Sequence, residues 1–351
     1  MKLLITGGAG FIGQRLALEC LRLRKLNLDR QPTADITKIV LADRAEPAFW
    51  HDGLKDHRLI ETRFGDISDE RQVNSLFDHT YDVVFHLASI VSGHGEQDFD
   101  LALKVNLDGT RYLLESIRAQ NNNARVVFTS SLAGFGGDTM PEQVSDATKL
   151  TPQTTYGVTK AIGELLINDY SRKGFLDGRS ARLPTVVVRP GKPNLAASSF
   201  VSGLFREPLS GQACKIPVDL KQMMPVLGYR NIVEGIIRLA EVPANELGTD
   251  RAVGLPAINA TVEEMMTALK NVAGNRHLGE HIIEPDETIA TIVSGWPTQI
   301  DNNRAIKLGM PLDSSLEAVV QNYIDDYLDQ STTRVTSLLF TGHNPRQRFQ
   351  I

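Results

Sequence analysis

The 351-residue sequence has only two cysteines, Cys20 and Cys214, and no surplus of positive charge: 37 Lys and Arg stand against 42 Asp and Glu, a net charge of −5. Two thiols are too few for a disulfide-stapled scaffold. Cys20 falls on the apolar side of the first predicted helix, and a buried free thiol there fits a reducing cytoplasm. Without a basic footprint, nothing points to nucleic acid. No apolar run reaches the length of a membrane span, and no charged-then-apolar leader precedes the first predicted strand, which begins at residue 2 and leaves no room for one. No internal repeat is visible. What remains is a chain of ordinary apolar and charged content, long enough for one or two globular domains.

The stretch that organises this chain is Lys2–Gly13, KLLITGGAGFIG. Leu3, Leu4 and Ile5 form the short apolar run of a parallel strand buried on both faces. Gly7, Gly10 and Gly13 follow at a spacing of three, and a helical apolar pattern starts at Ile12. Strand, glycine turn and helix form the dinucleotide-binding opening: Gly7 permits the turn, Gly10 lets the backbone approach a pyrophosphate, and Gly13 packs helix on strand. The helix N-terminus adds unpaired N–H groups for the phosphates. Lys38–Asp43 is a second strand ending in an acid, which accepts hydrogen bonds from ribose hydroxyls and repels a 2′-phosphate. Asp43 therefore favours NAD over NADP, while the adjacent Arg44 keeps NADP open.

The middle of the chain continues the alternation. Leu59–Phe64 reads as a strand leading to Asp66, which either caps the next helix, 69–77, or faces the adenine edge. Tyr81–Leu87 is a buried strand followed by the small Ala88 and Ser89. Residues 90–95 read as a flexible loop, 98–119 as a long helix, and Val126–Ser131 as a strand ending in two serines. A helix opens at Thr155 and runs to about Ser171, and Thr185–Arg189 is the sixth strand. Beyond it, 196–226 reads as irregular, a substrate loop with a short helix. Helices follow at 232–241, 262–273, 302–308 and 316–328, with short strands at 252–255 and 282–283. Alternating strands and helices mean βαβ units and a parallel sheet. The expected fold is α/β, a Rossmann-type doubly wound parallel sheet over residues 1–190 with a smaller, mixed substrate-binding region at 191–330. Residues 331–351 are expected to be a mobile tail.

Tyr156 and Lys160, four apart at a helix start, share one face. A phenol with pKa about 10 is a poor base at neutral pH. One ammonium about 4 Å away, at an effective dielectric of about 20, supplies on the order of 4 kcal/mol, enough to lower that pKa by about three units. Ser131, at a strand C-terminus of a parallel sheet, lies where such folds bind ligands and can orient a substrate oxygen. The set Ser131, Tyr156 and Lys160 is the candidate catalytic group. No metal site is expected.

The ordered motifs resemble the extended short-chain dehydrogenase/reductase family, the NAD-dependent epimerase/dehydratases: TGGAGFIG at 6–13, LAD at 41–43, GDI at 65–67, HLAS at 86–89, Asn106, SS at 130–131, YGVTK at 156–160 and RPG at 189–191. The resemblance spans about residues 1–330. It implies bound NAD contacted by Gly7, Gly10, Phe11, Ile12, Gly13, Asp43, Asp66, Ile67, Leu87, Ala88, Ser89, Asn106, Tyr156, Lys160 and Pro190. It implies Tyr156 as general base or acid, with Ser131 beside it and Ser130 as fallback, and Asn106 supporting Lys160 through water. One departure stands out: where the family often has a tyrosine after the serines, this chain has Gly134-Phe135-Gly136. A finer resemblance, in HLASIVSG at 86–93, SSLAGFGG at 130–137 and RPGKPNLAASSF at 189–200, implies oxidation at C2 of a small four-carbon sugar acid such as D-erythronate, with hydride passing to NAD. Candidates for holding that acid, besides Ser131 and Tyr156, are Lys192, Asn194, Ser198, Ser199 and Arg206. A nucleotide-sugar epimerase or dehydratase using NAD transiently would keep the same tyrosine–lysine pair, and a non-catalytic nucleotide-sensing module is the third reading. The family also implies a homodimer through helices around 98–119 and 156–171.

Overall fold

The computed structural model describes residues 1–329. β1 (Lys2–Thr6) leads through the glycine turn into α1 (Phe11–Leu23). Then come β2 (Lys38–Asp43), β3 (Ile60–Phe64), α2 (Glu70–Ser75), β4 (Val83–His86), α3 (Ser92–Gln97) and α4 (Phe99–Ala102). A π-helical segment, Leu103–Asp108, joins α4 to α5 (Gly109–Gln120), and β5 (Arg125–Ser131), β6 (Gln143–Val144), α6 (Thr155–Arg172) and β7 (Asp177–Leu183) follow. After these come β8 (Thr185–Val187), α7 (Ser199–Leu209), β9 (Cys214–Ile216), β10 (Met223–Gly228), α8 (Tyr229–Glu241), α9 (Ala244–Leu247) and β11 (Ala252–Gly254). The described chain ends with β12 (Ile258–Thr261), α10 (Val262–Ala273), β13 (His281–Ile283), α11 (Glu287–Ser294), β14 (Gln299–Ile300), α12 (Asn303–Lys307) and α13 (Leu316–Tyr327).

Seven strands form one sheet in the order β11-β7-β5-β4-β1-β2-β3, with every pairing parallel. Successive side chains of β1 point to opposite faces. Leu3 and Ile5 therefore pack with Leu16 and Ile236 in one apolar layer, and Leu4 packs with Leu113, Ile117 and Ile167 in the other. Each such buried aliphatic side chain stabilises the fold by about 1.5–3 kcal/mol. The result is a Rossmann-type α/β fold whose strand order reverses between β1 and β4. Ligands of such sheets bind at the carboxyl ends of the strands flanking that reversal. A second apolar core, with Val187, Val201, Phe205, Met224 and Val320 among its members, lies under the three-stranded sheet β12-β10-β8.

The structure differs from the sequence reading in several places. The strand that follows α6 in the main sheet is β7, not 185–189; residues 185–187 instead pair with β10 in the smaller sheet. β7 carries buried Arg179, Ser180 and Arg182, and these polar residues hid it. β11 closes the edge of the main sheet although it lies at 252–254. Residues 92–97 are helical rather than a loop, and 199–209 form an eleven-residue helix within the stretch read as irregular. Asp66 does not cap α2; Asp69 does, accepting from the Arg71 and Gln72 N–H groups. Asp66 accepts from the Ser68 N–H and hydroxyl instead. The expected tail at 331–351 lies outside the described residues. Among the described residues, no helix is long and apolar enough to cross a membrane.

Candidate active site

Two cavities, of about 890 and 350 Å³, both border Gly7, Gly10 and Leu87, so they meet as one trough at the switch point between β1 and β4. The larger lies toward β2 and β3. Asp43, Asp66, Ile67, Ala88 and Ser89 line it. The smaller reaches toward β8 and α7, and Phe11, Ile12, Gly13, Ser131 and Tyr156 line it.

The glycine turn meets the requirements of a dinucleotide. A Cβ on Gly13 would fall 2.2 Å from the Gly7 carbonyl oxygen, so only glycine lets α1 sit this close to the turn. At Gly10 a Cβ would meet nothing nearer than that same oxygen at 3.1 Å, and the backbone is otherwise open to the trough. Gly10 is the N-cap of α1, without a side-chain cap and with no acid in the first turn. The helix's positive end and its free N–H groups are therefore left for an anion such as a diphosphate. Asp43 Oδ2 accepts from the Ala9 N–H at 3.0 Å and Oδ1 from the Arg44 N–H at 2.7 Å. Burial pushes its carboxyl up while these N–H groups hold it down. This tip carboxylate suits ribose hydroxyls, so the chain's own residues fit NAD at this end.

At the other end, α6 is drawn against the turn after β5. A Cβ on Gly157 would lie 2.0 Å from the Ala133 carbonyl oxygen, and Thr154 caps the helix by accepting from the Gly157 N–H at 3.1 Å. This packing brings Tyr156 to Ser131. The Ser131 oxygen accepts from the Ala133 N–H at 3.1 Å, which leaves its O–H free to donate, and it hydrogen-bonds the Tyr156 phenol. Ser130 points away from the trough and is buried.

Lys160 is buried beneath Tyr156. Its ammonium donates to the Thr129 carbonyl at 2.8 Å and sits 5.5 Å from the centre of the Tyr156 ring. Burial pushes Lys160 down to about 7, with Glu164 pulling the other way. Burial likewise pushes Tyr156 up to about 12, and the Ser131 hydrogen bond opposes it. The lowering of the phenol expected from Lys160 does not appear here, because burial outweighs it. The dry pocket disfavours both charges.

Asn106 lies in the π-helical segment, where the widened turn carries its amide away from a regular helix face. It accepts from the Ile90 N–H at 2.7 Å and donates to Thr159 Oγ1 at 3.2 Å, so it touches the neighbour of Lys160 and not the lysine itself. Neither Asn106 nor Lys160 nor Pro190 borders either cavity. Among the substrate candidates, Asn194, Ser198, Ser199 and Arg206 line the smaller cavity; Lys192 is exposed, and only its carbonyl is engaged, by Arg189. Phe135, where the family often carries tyrosine, is buried under the Arg182 guanidinium and outside the lining.

Sequence reasoning missed Arg189 and Trp296, which also line the smaller cavity. Arg189 was visible in the RPG segment, but its position at a presumed strand end gave no sign that it faces a cleft. Its guanidinium has no carboxylate partner among the described residues, and burial together with nearby Arg206 holds its pKa below the ordinary value. Nothing in the spacing marked Trp296.

The chain matches the model of the NAD dependent epimerase/dehydratase family over residues 3–254. It is 46% identical to a D-erythronate dehydrogenase of Cupriavidus necator and 42% identical to one of Haemophilus influenzae, covering 93% of this chain and 98% and 99% of those proteins. Among solved structures it is similar to a nucleoside-diphosphate-sugar epimerase from Agrobacterium tumefaciens, at 39% identity and a TM-score of 0.85 over 93% of this chain and 94% of that one. An L-threonine dehydrogenase from Phytophthora infestans is similar at 26% identity and a TM-score of 0.78 over 92% of this chain and 98% of that one. The glycine turn, the tip aspartate, the Ser131–Tyr156–Lys160 cluster and this family match agree: the chain belongs to the NAD-dependent epimerase/dehydratase family.

Proposed function

We propose that this enzyme oxidises the C2 hydroxyl of a small sugar acid, D-erythronate, to 2-oxo-D-erythronate. The observation that carries this reading is the smaller cavity: Ser131 and Tyr156 share about 350 Å³ with two arginines, Arg189 and Arg206. A cavity of that size with two cations suits a compact carboxylate. The two relatives named D-erythronate dehydrogenase support the same substrate.

Bound NAD supplies the hydride-accepting chemistry at the C2 carbon. Arg189 and Arg206 hold the substrate carboxylate, and Arg189 is the better placed for it because Arg206 already pairs with Glu207 at 2.5 Å. Ser131 donates to the C2 oxygen. Tyr156, as phenolate, takes the hydroxyl proton as the C2–H bond breaks and the C2=O bond forms, and it returns that proton to solvent. The Lys160 ammonium stabilises the phenolate. Interactions that strengthen as charge develops are the ones that accelerate the reaction.

Similarity to the nucleoside-diphosphate-sugar epimerase from Agrobacterium tumefaciens favours a second reading, a nucleotide-sugar epimerase with NAD retained. Absorbance at the reduced-nicotinamide band separates the two. Sustained NADH formation from NAD and D-erythronate is expected; silence on four-carbon acids with NAD still bound would move the assignment to the epimerase. A cytoplasmic location is supported by the two buried free thiols. A homodimer through the helices around 98–119 and 156–171 is supported by exposed Phe99, Val158 and Leu165 on them.

A further inference from the structure

α1 begins at Phe11, and its first turn carries the N–H groups left for the diphosphate. Gly13 packs one side of this turn against Gly7. Phe11 and Arg15, four residues apart, share the opposite side, since two residues of an α-helix turn through rather more than half a circle. Phe11 borders the smaller cavity, and Arg15 borders neither. What this second side rests on is contributed by two helices from the later part of the chain, α8 and α13.

The Phe11 ring lies 5.4 Å from that of Tyr229 and 6.5 Å from that of Tyr327, and the two tyrosine rings are 5.8 Å apart. Three rings therefore make one tilted cluster, the arrangement their quadrupoles favour. The Arg15 guanidinium lies across both tyrosines, 5.0 Å from the centre of Tyr229 and 4.8 Å from that of Tyr327, as a cation–π contact requires. Its Nε donates to the Tyr327 hydroxyl at 2.7 Å and its Nη2 to Asp326 Oδ2 at 3.0 Å. Asp326 also accepts from the Tyr229 hydroxyl and from Arg230 Nη2, the latter at 2.6 Å, which ties α13 to α8. Arg15 and Tyr327 are 312 residues apart in sequence, so the first turn of α1 is clasped by the last described helix.

We propose that Arg15 and Tyr327 are positioning residues for NAD: the clasp between them holds Phe11 and the first turn of α1 where the diphosphate docks. Neither residue borders the trough, so any effect on the nucleotide passes through α1. A helix end that leaves its productive position binds the dinucleotide only on returning, and the apparent dissociation constant rises as the competent fraction falls. The proposal rests on the nucleotide site and not on the choice of sugar acid.

The test is calorimetric titration of NAD into the full chain, alongside thermal unfolding. Tyr327→Leu and Arg15→Met should each weaken NAD about tenfold, as a competent fraction reduced to about one-tenth would. Tyr327→Phe, which keeps the ring and loses only the hydroxyl, should recover most of that affinity. Because both residues act through one contact, the double variant should bind NAD within about twofold of the weaker single variant. Val320→Ala serves as the control for general loosening: Val320 is on the same helix but buried in the second core. It should lower the melting temperature and leave NAD affinity within about twofold of wild type. Unchanged NAD affinity in either Tyr327→Leu or Arg15→Met overturns the proposal, and so does an equal loss of affinity in Val320→Ala. At saturating NAD, kcat and the KM for D-erythronate should stay within about threefold of wild type in both clasp variants, and a larger fall there with NAD affinity kept also overturns it. No turnover of D-erythronate by wild type would sink the sugar-acid reading alone, since the titrations decide the clasp without it.

Discussion

Lys160→Met removes the one cation beneath Tyr156 while keeping a long apolar stem in its channel. The ammonium lies 5.5 Å from the phenol ring centre. At an effective dielectric of about 20, a unit charge at that distance stabilises phenolate by about 3 kcal/mol, or about two pKa units. Oxidation needs the phenolate, so losing the charge moves the acid limb of the kcat/KM profile up by about two pH units and lowers kcat/KM about 100-fold at neutral pH. Steady-state NADH formation between pH 6 and 10 for wild type, Lys160→Met and Lys160→Arg measures the shift. A limb that stays in place in the methionine variant refutes the electrostatic role. The same substitution tests the burial of the amine. Lys160 has an ordinary value of 10.5 and is pushed to about 7 in the fold, so the unfolded chain binds more protons between those values. Stability from this residue therefore rises with pH across that window, by up to about 1.4 kcal/mol per unit, and the rise is lost below about pH 7. Urea titrations of Lys160→Met should show a flatter dependence on pH over the same range.

Three further outcomes are expected. Tyr156→Phe should lower kcat by about 10²–10⁴-fold with NAD affinity largely kept, as measured by turnover and by nucleotide titration. Gly13→Ala, which forces a Cβ to 2.2 Å from the Gly7 carbonyl, should cost about 1–3 kcal/mol of stability; Gly10→Ala, which projects into the trough, should leave the melting temperature nearly unchanged yet weaken NAD binding at least about tenfold. Asp43→Ser should narrow the preference for NAD over NADP by about tenfold or more in paired kcat/KM measurements, since it removes the carboxylate beside Arg44 that repels a 2′-phosphate.

The parts of the fold that were legible in sequence are those whose signal is local. β2 at Lys38–Asp43 and α10 at Val262–Ala273 coincide with the sequence reading, because an apolar run ending in an acid and a 3.6-residue apolar pattern are written in consecutive residues. α10 also carries a capping box between Thr261 and Glu264, three residues apart. β7 was illegible because it buries charge. Arg179 donates to the carbonyls of Leu239 and Val242, and Arg182 pairs with Glu164 at 2.8 Å, so the partners that make a polar strand tolerable are scattered across the chain. α3 reads SGHGEQ, a poor helix by propensity, and tertiary contacts hold it: Gly93 packs on the Leu195 carbonyl, and Glu96 accepts from the Thr155 N–H at 2.8 Å. Tyr156, Lys160 and the glycine turn announced themselves by spacing. Arg189 and Trp296 did not, because they reach the cleft only after the chain has left the main sheet and folded back over it.

That return has a consequence for anyone wishing to divide the molecule. β11, at 252–254, is hydrogen-bonded along β7, and Gly254 donates to the Asp146 carboxylate that also grips Arg182. A polypeptide cut at residue 190 keeps the glycine turn and the tyrosine–lysine pair but loses this last strand. It also loses the α8 carbonyls that receive Arg179 and the Arg304 guanidinium that shares Asp146. It would present a bare strand edge with stranded cations beside it, the kind of surface along which chains stick to one another. Residues 1–190 therefore do not complete their own sheet: its last strand arrives only after β8 to α9, so a cut at 190 is expected to leave the remaining strands less stable than in the whole chain.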